Sequence, residues 1–558
     1  MRRPSATLTR EGFANSESSP RCEKWQEHTG QGPCTQRFDC VPRVTQLHEV
    51  RRLCAETRLA RHEPRAFRFV PTKVAPAPRA RYPAPMTPIV PSTSERDLQQ
   101  PPLTPDALVP YAKRVFCNRN LRLDRISAIG FDMDYTLAIY EEAMETVQAE
   151  MALARMVERY RYPESILGIR YRPDFGIRGL AVDIRHGNLF KMDAHRHVGR
   201  TWHGNRPLSR DERRALYRNR RMSPADPDVV MVDTLFSLPE LCLYSQLVAI
   251  LDATTPETPD YARLWRDLRE TMDVMHRDGS LKARIAADIP RFIRRLPTLP
   301  ATLAAFRRSG KRLFLLTNSE PAYTELVMRY LLDGVEAEFP SWRDYFEVIV
   351  ASARKPVFFS GDQPFLEVLP DMTPGEPVSE LRAGVMVVNG NHRDLSRLAR
   401  FDGDEVLYVG DHLYGDILRS KRSTAWRTAM IVPEMGRELD RMQALGPRLD
   451  ELERLDQVTH QLELDHATLS RTGGPVAALQ AQLEALRASF DRLEVETSNH
   501  FNPHWGALFR EKSELSAFGT QVEAYACVYT GCVSNFLHYS PDNYFRSPRD
   551  RMAHELQR

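Results

Sequence analysis

The chain has 558 residues, 42% of them hydrophobic, so it is too long for one ordinary domain and has ample side chains for a sizeable core. Its formal net charge of +3 is nearly balanced and gives no global case for nucleic-acid binding. No uninterrupted apolar run predicts a membrane span, and the start lacks the apolar h-region of a secretory signal. The eight cysteines have no metal-binding spacing, which favours reduced thiols and a cytoplasmic protein.

Residues 1–105 differ from the rest in being rich in arginine and proline, with no periodic apolar face. This composition predicts a disordered extension. Frequent arginine and serine also fit an organellar transit peptide, but Glu11, Glu17 and Glu23 argue against one. Met86 is an alternative start of the protein, and the sequence leaves that choice open.

A short, mainly apolar run at residues 126–131 ends at Asp132 and Asp134. Such a run predicts a buried strand of a parallel sheet, and ligands bind such sheets at the carboxyl ends of their strands. Side chains alternate along an extended chain, so the two carboxylates should share one side. Together they can bind a divalent cation or divide nucleophile and acid/base work. Alone the pair is weak evidence, because acidic pairs are common in turns.

The next strand-end motif starts only at Thr317, much farther along the chain than a crossover helix requires. An inserted cap domain over the site explains this gap. Within it, Arg269, Asp273 and His276 have the spacing of one helix face. The residues alone favour an exposed, solvated face there, since charged helix faces ordinarily contact water.

Further apolar runs also end in polar residues. One leads to Thr317 and Asn318, which can hold phosphate oxygens or cap the helix that follows. A loop then carries Lys355 before a chain-stiffening proline, and the last run delivers Asp411, with Asp416 shortly after it. Each residue alone favours a surface or turn role. The ordered set of carboxylate pair, hydroxyl, lysine and second carboxylate pair is specific.

Residues 434–500 have a strongly helical pattern that contains a coiled-coil-like seam of alternating four- and three-residue steps. The seam consists of Leu479, Leu483, Leu486, Phe490 and Leu493. An intramolecular hairpin and a subunit interface both explain it, and we favour a hairpin that also contributes to a homodimer or homotetramer. A final helix is expected near residues 522–537, docked on the core.

The four motifs, in this order, resemble those of the haloacid dehalogenase-like hydrolases, and further segments resemble the cytosolic purine 5′-nucleotidase family over roughly residues 108–435. The segments are Phe116–Arg119, Phe131–Leu137, Arg178–Leu180, Gly187–Leu189 with Lys191, Asp233–Phe236, Gly279–Lys282, Ala353–Pro356 and Gly410–Leu418. The resemblance implies an α/β protein with a Rossmann-like haloacid dehalogenase core, a large inserted cap domain and a helical C-terminal region. The expected domains are the extension at 1–105, the core at 106–145 and 286–433, the cap at 146–285 and the helical region at 434–558.

The resemblance also implies a Mg²⁺-dependent 5′-nucleotidase that works through an aspartyl-phosphate. Asp132 would be the nucleophile and Asp134 the acid/base, while Thr317 and Lys355 would neutralise the transferring phosphoryl group. Mg²⁺ would be bound by Asp132, the backbone carbonyl of Asp134, and Asp411. The supporting residues of the phosphate site would be Asn318, Ser319 and Asp416.

In this family the matching cap positions line the substrate pocket. They are Phe236, Arg269, Asp273, His276 and Lys282. The aromatic ring would stack on the base, and the family match implies purine nucleoside monophosphates, with IMP and GMP preferred because Arg269 offers several donors in one plane. The chain departs from the family at Ser237 and Asp233, where the family has asparagines, and at Arg277, where it has a tyrosine. The departures at Ser237 and Arg277 concern the inferred base preference, and the departure at Asp233 concerns the inferred activation by nucleotides.

Two alternatives to this enzyme stay open on the sequence. A phosphatase for another small phosphate monoester would keep the core and differ in the cap, and a non-catalytic nucleotide-binding scaffold would keep only the fold. Retention of Asp132, Asp134 and Lys355 favours an enzyme, because a binding module needs neither nucleophile nor acid/base. Phosphate transfer to a nucleoside would be a side reaction of that enzyme.

Overall fold

The computed structural model describes residues 108–549, except 219–220, 224, 256, 258 and 402, together with residues 552 and 555. The extension expected at residues 1–105 lies outside these described residues.

The strands of the described part, in chain order, are β1 (Phe116–Cys117), β2 (Leu121–Arg122), β3 (Ala128–Phe131), β4 (Ile139–Tyr140), β5 (Leu180–Asp183), β6 (Asn188–Met192), β7 (Val198–His203), β8 (Arg206–Pro207), β9 (Val229–Val232), β10 (Ile293–Arg294), β11 (Arg312–Leu316), β12 (Val348–Ala351), β13 (Phe365–Val368), β14 (Pro374–Pro377), β15 (Met386–Asn389), β16 (Val406–Gly410), β17 (Arg427–Ile431), β18 (Arg510–Glu511), β19 (Glu514–Leu515), β20 (Val528–Thr530) and β21 (Tyr544–Phe545). The α-helices are α1 (Glu142–Tyr160), α2 (Arg210–Tyr217), α3 (Leu238–Thr254), α4 (Tyr261–Arg277), α5 (Ser280–Ala286), α6 (Ile289–Phe292), α7 (Thr298–Arg308), α8 (Pro321–Leu332), α9 (His392–Ala399), α10 (Arg419–Ser423), α11 (Met435–Ala444), α12 (Gly446–Thr472), α13 (Ala477–Asn499) and α14 (Ala517–Tyr525).

Ten of the described strands form one sheet, in the order β1-β20-β17-β16-β3-β11-β12-β15-β13-β14. The strands from β20 to β15 run parallel, and β1, β13 and β14 add antiparallel edges. From β3 the chain builds outwards on one side through β11, β12 and β15, and on the other side through β16, β17 and β20. Ligands bind parallel sheets at such a reversal of strand order, outside the carboxyl ends of the strands.

Apolar side chains cover both faces of this sheet. Phe131 and Leu315 belong to one buried cluster, whereas Phe314 and Val350 belong to a second. Successive side chains of a strand point to opposite faces, so burial of both faces explains why these strands are near-continuous hydrophobic runs in the sequence. The sheet confirms the predicted α/β class with a Rossmann-like core.

The long segment between β4 and β10 forms the predicted insertion. These two strands pair antiparallel, with Tyr140 opposite Ile293, and we call them the stalk. Between them lie α1 to α6 and a separate antiparallel sheet with the order β8-β7-β6-β5-β9. The expected cap boundaries, 146 and 285, fall within α1 and α5, and the exact domain division stays a prediction.

The C-terminal region is helical only in part. Helices α12 and α13 form a hairpin in which Arg487 and Glu463 form an ion pair at 2.6 Å. Leu483 of the predicted seam is buried and the other seam residues are half-buried. The single helix expected over residues 522–537 is wrong, because α14 ends at Tyr525 and β20 joins the large sheet beside β17. Val528–Thr530 is a β-branched and aromatic triplet, which favours a strand.

One helical stretch in the described residues, Leu235–Thr254, is long and apolar enough to cross a membrane. Within its most apolar window, 67% of the residues are buried inside the protein. Such burial is typical of a core helix.

A substitution at Gly130, in the middle of β3, tests how tightly the central strands are packed. A Cβ at this position would lie 2.1 Å from the ring of Phe314, which is buried and stacks on Phe401. We therefore expect Gly130→Ala to lower the free energy of unfolding by about 2 kcal/mol, measured by urea titration. Gly436→Ala in α11 is the control, because its Cβ would meet nothing within 4 Å. Wild-type stability of the Gly130 variant would contradict this packing.

Candidate active site

The carboxyl ends of β3, β11, β12 and β16 meet at one edge of the sheet. The backbone N–H of Asp132 donates to the Val409 carbonyl, and that of Thr317 donates to the Val350 carbonyl, both at 2.9 Å. The strand ladder thus continues for one residue past β3 and β11. This continuation fixes the backbone from which both side chains project.

Lys355 lies at the centre of this edge. Its Nζ is 2.8 Å from Asp132 Oδ1 and 2.7 Å from Asp416 Oδ1, and it donates to the Tyr408 hydroxyl at 3.0 Å. All four side chains are buried. Burial opposes the charged lysine, but Asp132 and Asp416 raise the pKa of Lys355 well above its ordinary value. The ammonium therefore stays charged between the two carboxylates.

Asp132, Asp411 and Asp416 form a buried acidic cluster, whose nearest oxygens lie within 4.8 Å of one another. Burial raises the pKa of Asp132 to about 8, with the neighbouring carboxylates adding to the rise and Lys355 opposing it. Burial and Asp416 also raise the pKa of Asp411 well above its ordinary value. The cluster thus holds more carboxylates than the single lysine can balance, and its oxygen donors fit a hard divalent cation.

The loop after β16 is held from the cap side. Asp416 lies in a π-helical turn, Leu413–Leu418. The fully buried Arg178 donates to the Asp411 carbonyl at 2.7 Å and pairs with both carboxylate oxygens of Glu434. Because Arg178 lies in the insertion, two residues before β5, the insertion helps to place the Asp411 backbone.

Asp134 has surroundings unlike those of Asp132. Its Oδ1 accepts a hydrogen bond from the Tyr140 hydroxyl at 2.6 Å, and its Oδ2 accepts one from the Ser319 hydroxyl at 2.7 Å. The hydroxyls of Tyr140 and Tyr323 are 2.9 Å apart. Burial and Asp134 raise the pKa of Tyr140 well above its ordinary value, so its hydroxyl stays protonated. One aspartate of the motif thus contacts an ammonium, and the other contacts hydroxyls.

Asn318 supports the loop that carries the lysine. Its Oδ1 accepts from the Lys355 N–H at 2.6 Å, and its Nδ2 donates to the Lys355 carbonyl at 3.0 Å. The alternative, that Thr317 or Asn318 caps the next helix, does not hold, because Glu320 occupies the N-cap position of α8 and no side chain caps it. Thr317 Oγ1 instead accepts from the Ser319 N–H at 3.1 Å.

Phe236, one of the five predicted pocket residues of the cap, lies beside the Asp134 network. Its ring centre is 4.8 Å from that of Tyr135, 5.7 Å from that of Tyr140 and 5.4 Å from that of His276. Burial and the nearby Lys282 lower the pKa of His276, which favours the neutral ring. The cap therefore adds an aromatic and imidazole wall to the core site.

Arg269 is held in place by hydrogen bonds to Ser237 and Glu240. Its Nη1 is 2.9 Å from Ser237 Oγ and from both Glu240 oxygens, and its Nε is 3.5 Å from Asp273. Burial raises the pKa of Glu240 to about 7, against the effect of Arg269. The Arg269 side chain is still 44% exposed. These contacts use Nη1 and Nε of Arg269 and do not involve Nη2.

Lys282 joins the cap to the core. It pairs with Glu320, and its Nζ lies 5.2 Å from the centre of the Tyr323 ring. The predicted core and cap residues therefore lie along one continuous set of contacts, which runs from Lys355 through the strand ends to the helices of the insertion.

Several site contacts come from residues that had no predicted role. They are Tyr140, Tyr323, Tyr408 and Glu240. Tyrosine within an apolar run is ordinarily a core residue, so only the nearness of these rings to strand ends could have indicated a role. Glu240 carried a clearer signal, because it is a carboxylate in the mainly apolar first half of helix α3.

Comparison with known proteins matches this chain to a family model and to individual proteins. The model of the 5′ nucleotidase family matches residues 115–557. A 5′-nucleotidase domain-containing protein of Dictyostelium discoideum is 28% identical over 453 residues, which cover 79% of this chain and 75% of the relative. 5′-Nucleotidase domain-containing protein 2 of Homo sapiens is 29% identical over 472 residues, covering 82% and 87%. The solved structure of CbbY from Rhodobacter sphaeroides in complex with phosphate covers 55% of this chain and 86% of its own, at 16% identity and a TM-score of 0.20.

The raised pKa of Asp132 predicts how stability depends on pH without a bound metal. Because its pKa rises from 3.8 to about 8, the folded protein keeps a proton that the unfolded chain releases. The stabilisation is fully present below about pH 4 and is lost as the pH rises through about 8. In EDTA, the free energy of unfolding of the wild type relative to Asp132→Asn should therefore fall by up to about 1.4 kcal/mol per pH unit in that window.

Urea unfolding at several pH values measures this difference. Excess Mg²⁺ is the control, since a cation bound to the carboxylates should flatten the trend. A difference that does not change between about pH 4 and 8 in EDTA would contradict the buried, under-compensated state of Asp132.

Proposed function

The chain belongs to the 5′-nucleotidase family, whose model matches residues 115–557, and from this premise we propose that it hydrolyses purine nucleoside 5′-monophosphates with Mg²⁺, preferring IMP and GMP. Membership makes the protein a 5′-nucleotidase, a phosphoric monoester hydrolase. One observation carries the rest of the proposal: Lys355 lies 2.8 Å from Asp132 and 2.7 Å from Asp416, beside a pocket wall from the cap. A charged lysine against a strand-end carboxylate suits transfer of a dianionic phosphoryl group.

Asp132 is the nucleophile. One of its oxygens attacks phosphorus to give an aspartyl-phosphate, which water then hydrolyses, so one hard displacement becomes two easier ones. Oδ1 accepts hydrogen bonds from Lys355 and from the Met133 N–H at 2.8 Å. These two donors hold the carboxylate and leave Oδ2 for the attack.

Asp134 is the general acid and base. It gives a proton to the departing ribose oxygen in the first half-reaction and removes one from the attacking water in the second. Asp134 is not paired with the lysine, and its two oxygens instead accept hydrogen bonds from the Tyr140 and Ser319 hydroxyls. Ser319 orients it by donating to Oδ2.

The phosphoryl oxygens are neutralised by Lys355 and Thr317, with Asn318 fixing the lysine backbone and Asp416 orienting its ammonium. The residues that would hold Mg²⁺ are Asp132, Asp134 through its backbone carbonyl, and Asp411. When bound, the cation withdraws charge from the phosphoryl group and balances the acidic cluster.

In this proposal the side chains of the cap determine which substrate binds. Phe236 offers a ring for stacking on the base, and Arg269 presents Nη2 as a donor because Nη1 is taken by Ser237 and Glu240. A 6-oxopurine edge carries O6 and N7 acceptors, whereas the 6-amino group of AMP is itself a donor. This complementarity favours IMP and GMP. The remaining pocket residues, which would meet ribose and phosphate, are Asp273, His276 and Lys282.

Finer properties follow from the same proposal. A nucleoside in place of water would accept the phosphoryl group, which gives phosphotransfer as a side reaction. Half-exposed apolar side chains on the hairpin, Leu464 and Val495, are each 50% exposed and suit a homodimer or homotetramer contact. A cytoplasmic location fits the four free cysteines of the described chain.

Phosphate release tests the activity. We expect Mg²⁺-dependent release from IMP and GMP, less from AMP, and a loss of about 1,000-fold or more in Asp132→Asn because the nucleophile is gone. Asp416→Asn should only weaken turnover, since it orients Lys355 without touching phosphorus. Activity confined to sugar phosphates would reject the substrate assignment, and no Asp132-dependent turnover on any monoester would favour the non-catalytic alternative.

Arg269→Lys tests base recognition. A lysine cannot engage Glu240 and also reach the base, so we expect KM for IMP to rise about tenfold, with little change in kcat and a smaller preference for IMP over AMP. Arg263→Lys is the matched control on α4, where Arg263 is largely exposed and pairs with Asp267. An unchanged IMP/AMP ratio in Arg269→Lys would contradict this role.

A further inference from the structure

The hydroxyl of Tyr140 has two hydrogen-bond partners in a dry environment. It donates to Asp134 Oδ1 at 2.6 Å and lies 2.9 Å from the Tyr323 hydroxyl. Tyr140 and Tyr323 are 8% and 7% exposed, and the rings of Tyr135 and Phe236 lie against Tyr140 at 5.0 and 5.7 Å. Water therefore competes little for these hydrogen bonds, which strengthens them.

Tyr140 also belongs to the stalk that joins the insertion to the core. It pairs with Ile293 in the stalk ladder, and the next residue, Glu141, forms a two-point ion pair with Arg294 at 2.6 and 2.8 Å. Two strands and this ion pair thus fix the position of Tyr140. A displacement of the stalk would move the Tyr140 hydroxyl relative to Asp134.

Tyr323 connects the same network to the cap by a second route. It lies on α8 of the core, and the ammonium of Lys282, on cap helix α5, lies 5.2 Å from the centre of its ring. The cap therefore reaches Asp134 through the stalk at Tyr140 and through Lys282 at Tyr323.

We infer that Tyr140 is a positioning residue for Asp134, and that the Tyr140–Tyr323 hydroxyl pair couples the proton-transfer step to the placement of the cap. This inference rests on the proposed acid/base role of Asp134, but it does not depend on which phosphate monoester is the substrate. In this role Tyr140 acts on the reaction through the Asp134 carboxyl group that it holds.

The chemistry of the step explains why the hydrogen bond matters. An oxygen of Asp132 forms a bond to phosphorus, the bond from phosphorus to the ribose oxygen breaks with its electron pair on that oxygen, and the proton of the Asp134 carboxyl passes to it. Asp134 thereby gains negative charge. Hydrogen bonds from Tyr140 and Ser319 strengthen as that charge develops, so they stabilise the transition state more than the ground state.

In the second half-reaction the roles reverse. A water proton passes to Asp134, the water oxygen forms a bond to phosphorus, and the bond from phosphorus to Asp132 breaks, which releases inorganic phosphate and restores the Asp132 carboxylate. Tyr140 again fixes the plane of the Asp134 carboxyl, now toward the water.

A substrate whose leaving group needs no proton distinguishes a loss of Asp134 positioning from a general structural effect of the substitution. The alkoxide of a nucleotide requires protonation, whereas nitrophenolate from p-nitrophenyl phosphate departs without it. We expect Tyr140→Phe to slow the first-turnover cleavage of IMP roughly 10- to 100-fold and to change the first-turnover release of nitrophenolate by no more than about twofold, both measured by rapid mixing. Tyr323→Phe, which leaves the bond to Asp134 intact, should show the same selectivity with a smaller loss.

Tyr162→Phe is the matched control, because it removes another tyrosine hydroxyl that donates to a carboxylate, Asp267, at 3.2 Å in the cap. It should leave both first-turnover rates unchanged. Equal losses on IMP and p-nitrophenyl phosphate in Tyr140→Phe and Tyr323→Phe, or no loss on either substrate, would overturn the inference. If the wild type cleaves another alkyl phosphate and not IMP, the proposed nucleotide substrate fails, and the same comparison on that alkyl phosphate still decides the role of Tyr140.

Discussion

The buried contact of Lys355 with Asp132 and Asp416 is the constraint on which the site depends. A single ammonium at 2.8 and 2.7 Å from two carboxylates stays stable in a dry environment only if the backbone holds every partner in place. The parallel sheet brings the partners together because β3, β12 and β16 end at one edge. The ladder fixes the backbone of Asp132 directly, and Asn318 holds the backbone of Lys355 in the loop after β12. The excess negative charge of the acidic cluster makes the same site attractive to a cation.

The insertion supplies further contacts around this centre. The insertion leaves the core at the stalk and returns through it, so its helices lie beside the strand ends. It contributes Arg178 to the backbone of Asp411, Phe236 and His276 to the pocket wall, and Lys282 to the contact with Tyr323. One insertion thus contacts the loop that carries Asp411, the aromatic side chains beside Asp134 and, through Tyr323, the hydroxyls that bind Asp134.

The core site residues could be predicted from the sequence because ligand sites of parallel sheets lie at the carboxyl ends of the strands. An apolar run followed by Asp132, and another followed by Thr317, predicted strands whose ends meet, and the structure brings these residues together. Side-chain partners were harder to predict: Asn318 looked like a helix cap and instead holds the Lys355 backbone, and buried tyrosines looked like core. The helix expected near residue 528 failed because a short apolar run does not distinguish helix from strand, and pairing with β17 decides the outcome.

The chemical identity of the nucleophile can be tested most directly on the protein itself. The wild type would be mixed with IMP and Mg²⁺, quenched in acid within the first turnover, digested with pepsin and analysed by mass spectrometry. A phosphoryl group on the peptide that contains Asp132, absent from Asp132→Asn, is the predicted result. Turnover without any phosphorylated peptide, or a phosphoryl group on a different residue, would contradict a mechanism centred on Asp132 and Lys355.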